Sequence, residues 1–593
     1  MGKVIGQIVE VSGLTIEARL FELLPPYLVS GGERESAPKI NGFVKTRIGL
    51  DTAVCQVVGE YNKNDGNGEV GSYYLKLEVK GYFSGDSFIQ GLRVLPIVSA
   101  NVELMDSNDY KRMFASPTQE TISLGNDLYD DNKEINVELN KLIPSHVGVF
   151  GNTGSGKSNT LTKILSSYLS IIQEHKTNTG KFIIFDLNNE YGASAVCNEE
   201  EKTIYKLSTG KKGSANKIPL NVDDLSEDDF IVLMNASQKT QAPVVKTAYK
   251  NMQPLFDSKG NPIGKDESYY LNYLRSILSN SKRQLFFSMR HYLSDYISNV
   301  DNFKYNSVQS KFYYQEGDGI PIYSDNPSFG SYINRIQISI PSNKLDRFLF
   351  ELYFAVAHEY ENGVGLDFMM PLISRARKLI DDFKKIFDFS EDFKKIFKGK
   401  NVCVVQLGTV NRDMKEIVPS IIANSIFNKL QEKKESSGEI KQIINIVVDE
   451  AHNILYDDKK DVASHESVLT VFEKIVKEGR KFGLFLMLAS QRPSDISQTI
   501  ISQLHNYFIH KLVNPSDISM IRKAVAYMDE HSLDFITILA PGECIVSGTA
   551  FQMPAFIYVK QVGESKRPLS KDVELTGKNG LFEKGSNTDT NDF

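Results

Sequence analysis

An α/β fold is predicted for this 593-residue chain: a mostly parallel P-loop NTPase sheet with a helical insertion, preceded by a small N-terminal β-barrel. Three observations predict it. Gly151-Asn152-Thr153-Gly154-Ser155-Gly156-Lys157-Ser158 fit the phosphate-loop pattern G-x-x-x-x-G-K-[ST], with an apolar strand before them and an amphipathic helix after. Apolar strands alternate with helical periodicity on both sides of a long charged stretch, as in a parallel sheet covered on both faces. Short β-rich runs broken by Gly-rich turns fill residues 1–105.

The chain is too long for one core and divides into modules of roughly 150 residues. The expected boundaries are 1–105 for a barrel serving assembly or partner docking, 106–200 for the first part of the ATPase core, 201–400 for the insertion, 401–563 for the second part of the core and 564–593 for a disordered tail. A net charge of −6 argues against a surface coated for nucleic acid. It does not exclude a local basic channel, which depends on where Lys and Arg cluster. No run of about 18 apolar residues indicates a membrane span, and the first residues lack a signal-peptide core. Cys55, Cys197, Cys403 and Cys544 lie far apart without a CxxC pair. That argues against a disulfide framework or zinc site and fits a reducing cytoplasm, the expected location.

Taken in order, Val4, Ile8 and Val11 open a β region. Its clearest strand spans 73–80, where Tyr73, Leu75, Leu77 and Val79 alternate with Tyr74, Lys76, Glu78 and Lys80. The loop at 62–68 is Gly- and Asn-rich. Residues 122–125 and 135–139 read as two strands leading to the strand before the phosphate loop. Phe182-Ile183-Ile184-Phe185 form a buried-type strand ending at Asp186. From 200 to 400 helical patterns dominate, at 269–297 and 344–358, separated by a polar Tyr- and Ser-rich loop at 303–332. The hexapeptide Asp382-Phe383-Lys384-Lys385-Ile386-Phe387 recurs at 392–397 and reads as a short amphipathic helix pair. Strands at 401–407, 443–448 and 484–488 then alternate with helices at 417–433 and 468–477.

The chemistry follows from these placements. Small residues let backbone N–H groups converge on phosphate oxygens at a helix N-terminus. Lys157 is positioned for the β- and γ-phosphates of ATP and Ser158 for Mg²⁺; Gly151 to Asn159 form the nucleotide cradle. An apolar strand ending in Asp449-Glu450 supplies the other half: Asp449 for Mg²⁺ through water, Glu450 to polarise the attacking water. Gln491, after the next apolar strand, suits a γ-phosphate sensor. Arg480, between helix and strand, admits three readings: a group acting in its own subunit, one reaching a neighbour's nucleotide, or a plain surface arginine. Asp186 and Glu190 sit where open α/β sheets bind ligands. Asp449-Glu450-Ala451-His452 spells DEAH, but it lies too far beyond the phosphate loop for a DEAH-box helicase.

The ordered set G-x-T-G-S-G-K-S, D-x-x-x-E-Y, V-D-E-A-H, E-G-R-K-F-G and S-Q-R-P resembles the HerA branch of the HerA/FtsK translocases, across residues 1 to about 560. The resemblance implies a RecA/FtsK-like core in a homo-hexameric ring that hydrolyses ATP and moves duplex DNA through its centre. It marks Gly156, Lys157, Ser158, Asp186, Glu190, Asp449, Glu450, Arg480 and Gln491, and favours Arg480 as a finger acting in trans. It also implies a separate nuclease or sirtuin-like effector partner, with antiviral defence as one setting. One departure stands out: family members often read D-P-H-G-E-Y where this chain has Asp186-Leu187-Asn188-Asn189-Glu190-Tyr191. Arg412 and Lys415, read as lying in a loop after a strand, are the candidates for DNA contact. Two other classes compete. One is an ATP-regulated scaffold that gathers and gates a toxic effector. The other is a secretion or conjugation ATPase, which would want a membrane anchor that the sequence does not show.

Overall fold

The computed structural model describes residues 2–569, apart from 31–32, 64–70, 115–119, 178, 254, 257–261, 264–265, 458–465 and 526–532. Most of the Gly-rich loop at 62–68, and the expected disordered tail beyond 569, lie outside the described residues.

The N-terminal region forms a closed barrel. Strands β1 (Val4–Ser12), β2 (Thr15–Leu20), β3 (Phe43–Ile48), β4 (Asp51–Lys63), β5 (Ser72–Ser84) and β6 (Asn101–Leu104) pair antiparallel in the order β2-β1-β6-β3-β4-β5. Strand β5 then pairs back onto β2, Ile16 opposite Leu77, so neither edge is left open. Alternation drives the closure. Leu75, Leu77 and Val79 point inward to Ile5, Ile8, Ile16, Val57 and Val102, while Lys76 stays exposed. Helix α1 (Ser107–Phe114) joins the barrel to the core, packing Tyr110, Met113 and Phe114 beside Phe43, Phe83, Ile122 and Ile135. Its Asp109 carboxylate holds the buried Lys45 ammonium.

The core is one large sheet. Its parts in chain order are β7 (Thr121–Asp127), β8 (Glu134–Glu138), β9 (Val147–Phe150), α2 (Lys157–Glu174), β10 (Gly180–Asp186), β11 (Lys202–Ser208), β12 (Val402–Thr409), α3 (Arg412–Ser437), β13 (Ile443–Val448), α4 (Glu466–Glu478), β14 (Leu484–Ser490), β15 (Asn506–Ile509), β16 (Glu543–Gly548) and β17 (Ala555–Val559). Among the described residues the spatial order is β8-β7-β17-β16-β15-β9-β14-β13-β10-β12-β11. From β15 to β11 all pairings are parallel; from β15 to β8 all are antiparallel. The central parallel strands are mainly apolar and buried because helices cover both faces, whereas edge strand β11 carries Lys202, Thr203 and the exposed Lys206. Helix α2 buries Leu161, Ile164, Leu165, Tyr168 and Ile172, a single stripe at three- and four-residue spacing. No helix among the described residues is long and apolar enough to cross a membrane.

Between β11 and β12 lies the helix-rich segment, with its longest helices at Glu267–Ser279, Lys344–Glu361 and Leu366–Ile386. Three local expectations change here. The stretch read as the start of the insertion opens with β11, whose residues Lys202–Lys206 pair with Val402–Gln406, so it belongs to the sheet. The polar loop at 303–332 is a small antiparallel sheet of Phe303–Asn306, Lys311–Tyr314 and Ile322–Tyr323. Phe303 and Phe312 are fully buried in it, and its Tyr content is β-favouring rather than loop-like. The repeated hexapeptide does not form a helix pair. Its first copy closes the long helix Leu366–Ile386, whereas the second makes only a 3₁₀ turn at Phe393–Lys395 behind an Asp392 cap. A six-residue segment with no preceding turn to extend cannot meet the cost of helix nucleation alone.

Candidate active site

Strand β9 delivers the chain into residues 151–156 at the carboxyl edge of the sheet, between β14 and β15. Gly156 is the residue before α2 and has φ +115°, left-handed backbone that a side chain would strain. A Cβ there would also stand 3.4 Å from the His510 ring and 3.3 Å from Gly542 N. The loop is tied down on three sides. Gly151 N–H donates to Ser490 O at 3.2 Å, Asn152 N–H to Lys511 O at 2.8 Å, and Gly542 N–H to Ser155 O at 2.9 Å. The cradle is thereby shaped before any ligand arrives, which reduces the ordering cost of binding.

Lys157 is buried and its ammonium donates to Asn152 O at 3.1 Å. Burial lowers its pKa, opposed by the charges of Glu450, Asp449 and Glu190. Ser158 Oγ donates to Asp449 Oδ2 at 3.2 Å.

Asp449 follows β13, where Ile444, Asn445, Ile446, Val447 and Val448 are all buried. Its Oδ1 accepts the Glu450 N–H at 2.9 Å. Glu450 has φ +53°, an uncommon conformation for a residue with a side chain, and it turns the chain sharply out of the strand. The Glu450 carboxyl is pushed above its ordinary pKa by burial; Lys157 opposes this, while Asp449 and Glu190 reinforce it. Its Oε2 lies 3.4 Å from His452 Nδ1 and has no hydrogen-bond partner among the described residues. His452 Nδ1 is also 3.3 Å from Ser490 Oγ, linking the acid's loop to the end of β14. Thr153 Oγ1 donates to Gln491 Oε1 at 2.7 Å, so Gln491 touches the phosphate loop itself.

Other expected residues fall differently. Asp186 is buried and spends its carboxylate on the turn that follows, accepting the Glu190 and Tyr191 N–H groups at 2.9 Å each. It organises a loop rather than facing the cradle. Glu190 is half-buried; burial raises its pKa, and nearby Asp449 adds to the shift. The side chain of Asn159 is bonded to Lys560 O at 3.4 Å and Val562 N–H at 3.1 Å, leaving only its backbone for a phosphate. Arg412 and Lys415 are not in a loop: they occupy the first turn of α3, capped by Asn411, whose side chain accepts the Met414 N–H. They line a cavity of about 670 Å³ with Asn188, His452 and Tyr456, at the carboxyl edge of the sheet.

Arg480 is exposed, in a 3₁₀ turn just before β14. Burial lowers the pKa values of His146 and His505, which flank the amino ends of β9 and β15, and the positive charge of Arg480 adds to the shift. Strand β14 runs parallel to β9, so a full strand of roughly 20 Å separates Arg480 from its own phosphate loop. The reading in which Arg480 acts within its own subunit is therefore removed by geometry.

Two further groups belong to the site: His510, which lies in none of the quoted motifs, and Tyr191, the last residue of D-x-x-x-E-Y, to which the sequence reading gives no role. His510 is fully buried under the phosphate loop, with Nε2 2.9 Å from Thr160 Oγ1 and Nδ1 2.8 Å from Glu543 O. The carbonyl requires a proton on Nδ1, and burial pushes the ring's pKa down to about 4, so the ring is neutral and Nε2 accepts from the threonine. Tyr191 donates its hydroxyl to Asp449 Oδ2 at 2.8 Å.

The donor set fits Mg²⁺ held jointly with a nucleotide. Among the described residues no three His, Cys, Asp or Glu side chains form a metal cage. Ser158 and Asp449 instead converge as two hard oxygen donors beside the lysine, the sparse protein contribution Mg²⁺ takes when phosphates and water complete its shell. Ser155 Oγ, buried without a hydrogen-bond partner among the described residues, adds an unsatisfied polar atom to the cradle.

Comparison with known proteins agrees with this chemistry. The family model "Helicase HerA, central domain" matches residues 122–426. The DNA double-strand break repair helicase HerA of Sulfurisphaera tokodaii is 24% identical over 82% of this chain and 78% of its own length. That of Pyrococcus furiosus is 21% identical over 85% and 80%. Among solved structures, VirB4 of Thermoanaerobacter pseudethanolicus matches at 14% identity over 74% of this chain and 96% of that one, with a TM-score of 0.40. With the family model spanning just over half of its length and the two nucleotide motifs meeting in one site, the chain belongs to the HerA helicase family and is an ATP-hydrolysing P-loop enzyme.

Proposed function

We propose that the chain is a motor that couples hydrolysis of Mg²⁺-bound ATP to movement along duplex DNA as a homo-hexameric ring. The observation that carries this reading is the division of the chemistry. Lys157, Ser158, Asp449, Glu450 and Gln491 gather at one edge of the sheet, while Arg480 lies exposed at the other. A site with an acid, a clamp and a sensor whose finger candidate Arg480 is out of its own reach is completed by a neighbouring copy, and a ring makes each copy both donor and acceptor. Mg²⁺ would be held by Ser158 and, through water, Asp449, and would neutralise charge on the phosphates. Glu450, raised in pKa yet facing Lys157, takes up the proton of the attacking water. Gln491, hydrogen-bonded to Thr153, reports the state of the phosphate loop to the end of β14.

Duplex DNA is the proposed track because the relatives bear the name DNA repair helicase, and the exposed Arg412 is a candidate contact together with Lys415. A nuclease or sirtuin-like effector is the proposed partner, antiviral defence the proposed setting and the cytoplasm the proposed location. The test is ATP turnover with and without linear duplex DNA. Stimulation in the wild type and its loss in Lys157→Ala are expected; turnover indifferent to DNA, with no DNA retained at low salt, rejects the motor.

A second reading, an ATP-regulated scaffold for a toxic effector, draws on the barrel, which leaves Phe21, Leu23, Leu92 and Ile97 exposed as a docking surface would. Effector activity that survives Glu450→Gln in the assembled complex would favour it.

A further inference from the structure

The motif D-x-x-x-E-Y has so far supplied two acids, one of which, Asp186, does not face the cradle. Its third residue explains the arrangement. Tyr191 is 1% exposed, yet it carries a polar hydroxyl into the interior. Burying a phenol is unfavourable unless the hydroxyl is bonded, and this one donates to Asp449 Oδ2 at 2.8 Å. The bond joins two strands' ends: Tyr191 hangs from the turn after β10, and Asp449 ends the neighbouring β13.

That turn is held by Asp186, whose two oxygens take the N–H groups of Glu190 and Tyr191, with Gln406 Nε2 adding a third donor at 3.3 Å. Asp449 is thus fixed at both oxygens. Glu450 N–H occupies Oδ1, and Tyr191 shares Oδ2 with Ser158 Oγ. Of the two donors on Oδ2, only Ser158 belongs to the phosphate loop. When its hydroxyl turns to a metal, the tyrosine is the donor left to stop the carboxylate from rotating.

We infer that Tyr191 is a positioning residue: its hydroxyl aligns the Asp449 carboxylate with Ser158 and so presets the Mg²⁺ position, while Asp186 anchors the loop that carries it and does not contact nucleotide. This rests on the ATP–Mg²⁺ reading of the site. It also accounts for why the loop tolerates Leu187-Asn188-Asn189 in place of the family's usual residues. Of the middle positions, Asn189 takes φ +61° and accepts the Gly408 N–H at 3.1 Å, while the two ends hold the turn and the Asp449 carboxylate.

The test measures binding rather than turnover. Full-length wild type and Tyr191→Phe are titrated with a fluorescent ADP in excess Mg²⁺ and again in excess EDTA, with melting temperature followed alongside. Affinity in EDTA is expected to be equal in the two proteins. The Mg²⁺-linked gain is expected to shrink ~10-fold in the variant, as for other groups that orient metal ligands, and more Mg²⁺ should be needed for half-maximal binding. Equal weakening in Mg²⁺ and EDTA would make Tyr191 merely structural, and no change in either would leave it without a role; both overturn the inference. Should wild type show no Mg²⁺-linked gain, the ATP–Mg²⁺ reading fails first. Asp186→Asn is the second arm, loosening the turn while keeping the hydroxyl. A smaller loss of the Mg²⁺-linked gain is expected there. Loss of binding in EDTA would mean that Asp186 touches the nucleotide, and would overturn its assignment as anchor.

Discussion

Replacing Arg480 by alanine separates binding from hydrolysis if the finger works in trans. The seven residues of β14 place the guanidinium roughly 20 Å from its own phosphate loop. At that distance two unit charges in water interact by only about 0.2 kcal/mol before screening, and a Debye length of about 8 Å reduces this further. Arg480→Ala should therefore change nucleotide affinity of its own site by less than about 2-fold. Its effect on a neighbour's transition state should be far larger, a fall in kcat of ~10³-fold or more. The assay is complementation. Arg480→Ala keeps an intact site and Lys157→Ala an intact arginine, so each alone is inactive. Mixed assemblies regain turnover wherever the second chain's arginine meets the first chain's site. Phosphate release is followed as the two inactive proteins are mixed at varying ratio. No recovery at any ratio although mixed assemblies form would refute the reasoning.

Glu450→Gln should keep nucleotide binding while lowering hydrolysis by ~10²- to 10⁴-fold. It should also raise the melting temperature of the nucleotide-free protein. A carboxyl with a folded pKa above its unfolded value destabilises the fold once pH exceeds both, and the amide removes that charge. A lower melting temperature would contradict the desolvation argument. His510, held down to about 4, and His146, held down to about 3, act in the opposite sense. Stability that is full above the ordinary histidine pKa is lost as pH falls from about 6.5 towards 4, by about 1.4 kcal/mol per pH unit for each ring. Denaturant melts between about pH 7 and pH 5 should show this slope, and His510→Gln should reduce it by about one proton's share; an unchanged slope would place the charge elsewhere.

The features legible in the sequence are those whose physics is local. The phosphate loop needs glycines at fixed offsets before a helix, and the acid pair needs an apolar strand before it; both patterns are short and contiguous. The cap of α3 is equally local, since Asn411 three residues before Met414 is a helix-start signal. That signal places Arg412 and Lys415 in a helix's first turn and not in a loop. What stayed hidden depends on contacts across the fold. His510 reaches Thr160 and Glu543, and Tyr191 reaches Asp449, through pairings that only the strand order creates. The place of Asp186 at a strand's carboxyl end suggests a ligand, but an acid there can equally serve the turn that follows, as this one does. The alternatives for Arg480 could not be ranked from spacing, because the side of the sheet it occupies follows from the direction of β14. The two copies of the hexapeptide show the same limit, adopting different structures because only one extends an existing helix.

The central claim, that ATP hydrolysis drives this chain along duplex DNA, is tested most directly by displacement of a labelled third strand from a linear duplex. The account predicts release in the presence of ATP and Mg²⁺, absent with a non-hydrolysable analogue, with Lys157→Ala and with Glu450→Gln. ATP turnover without release of the third strand, in a protein that binds the duplex, would contradict it.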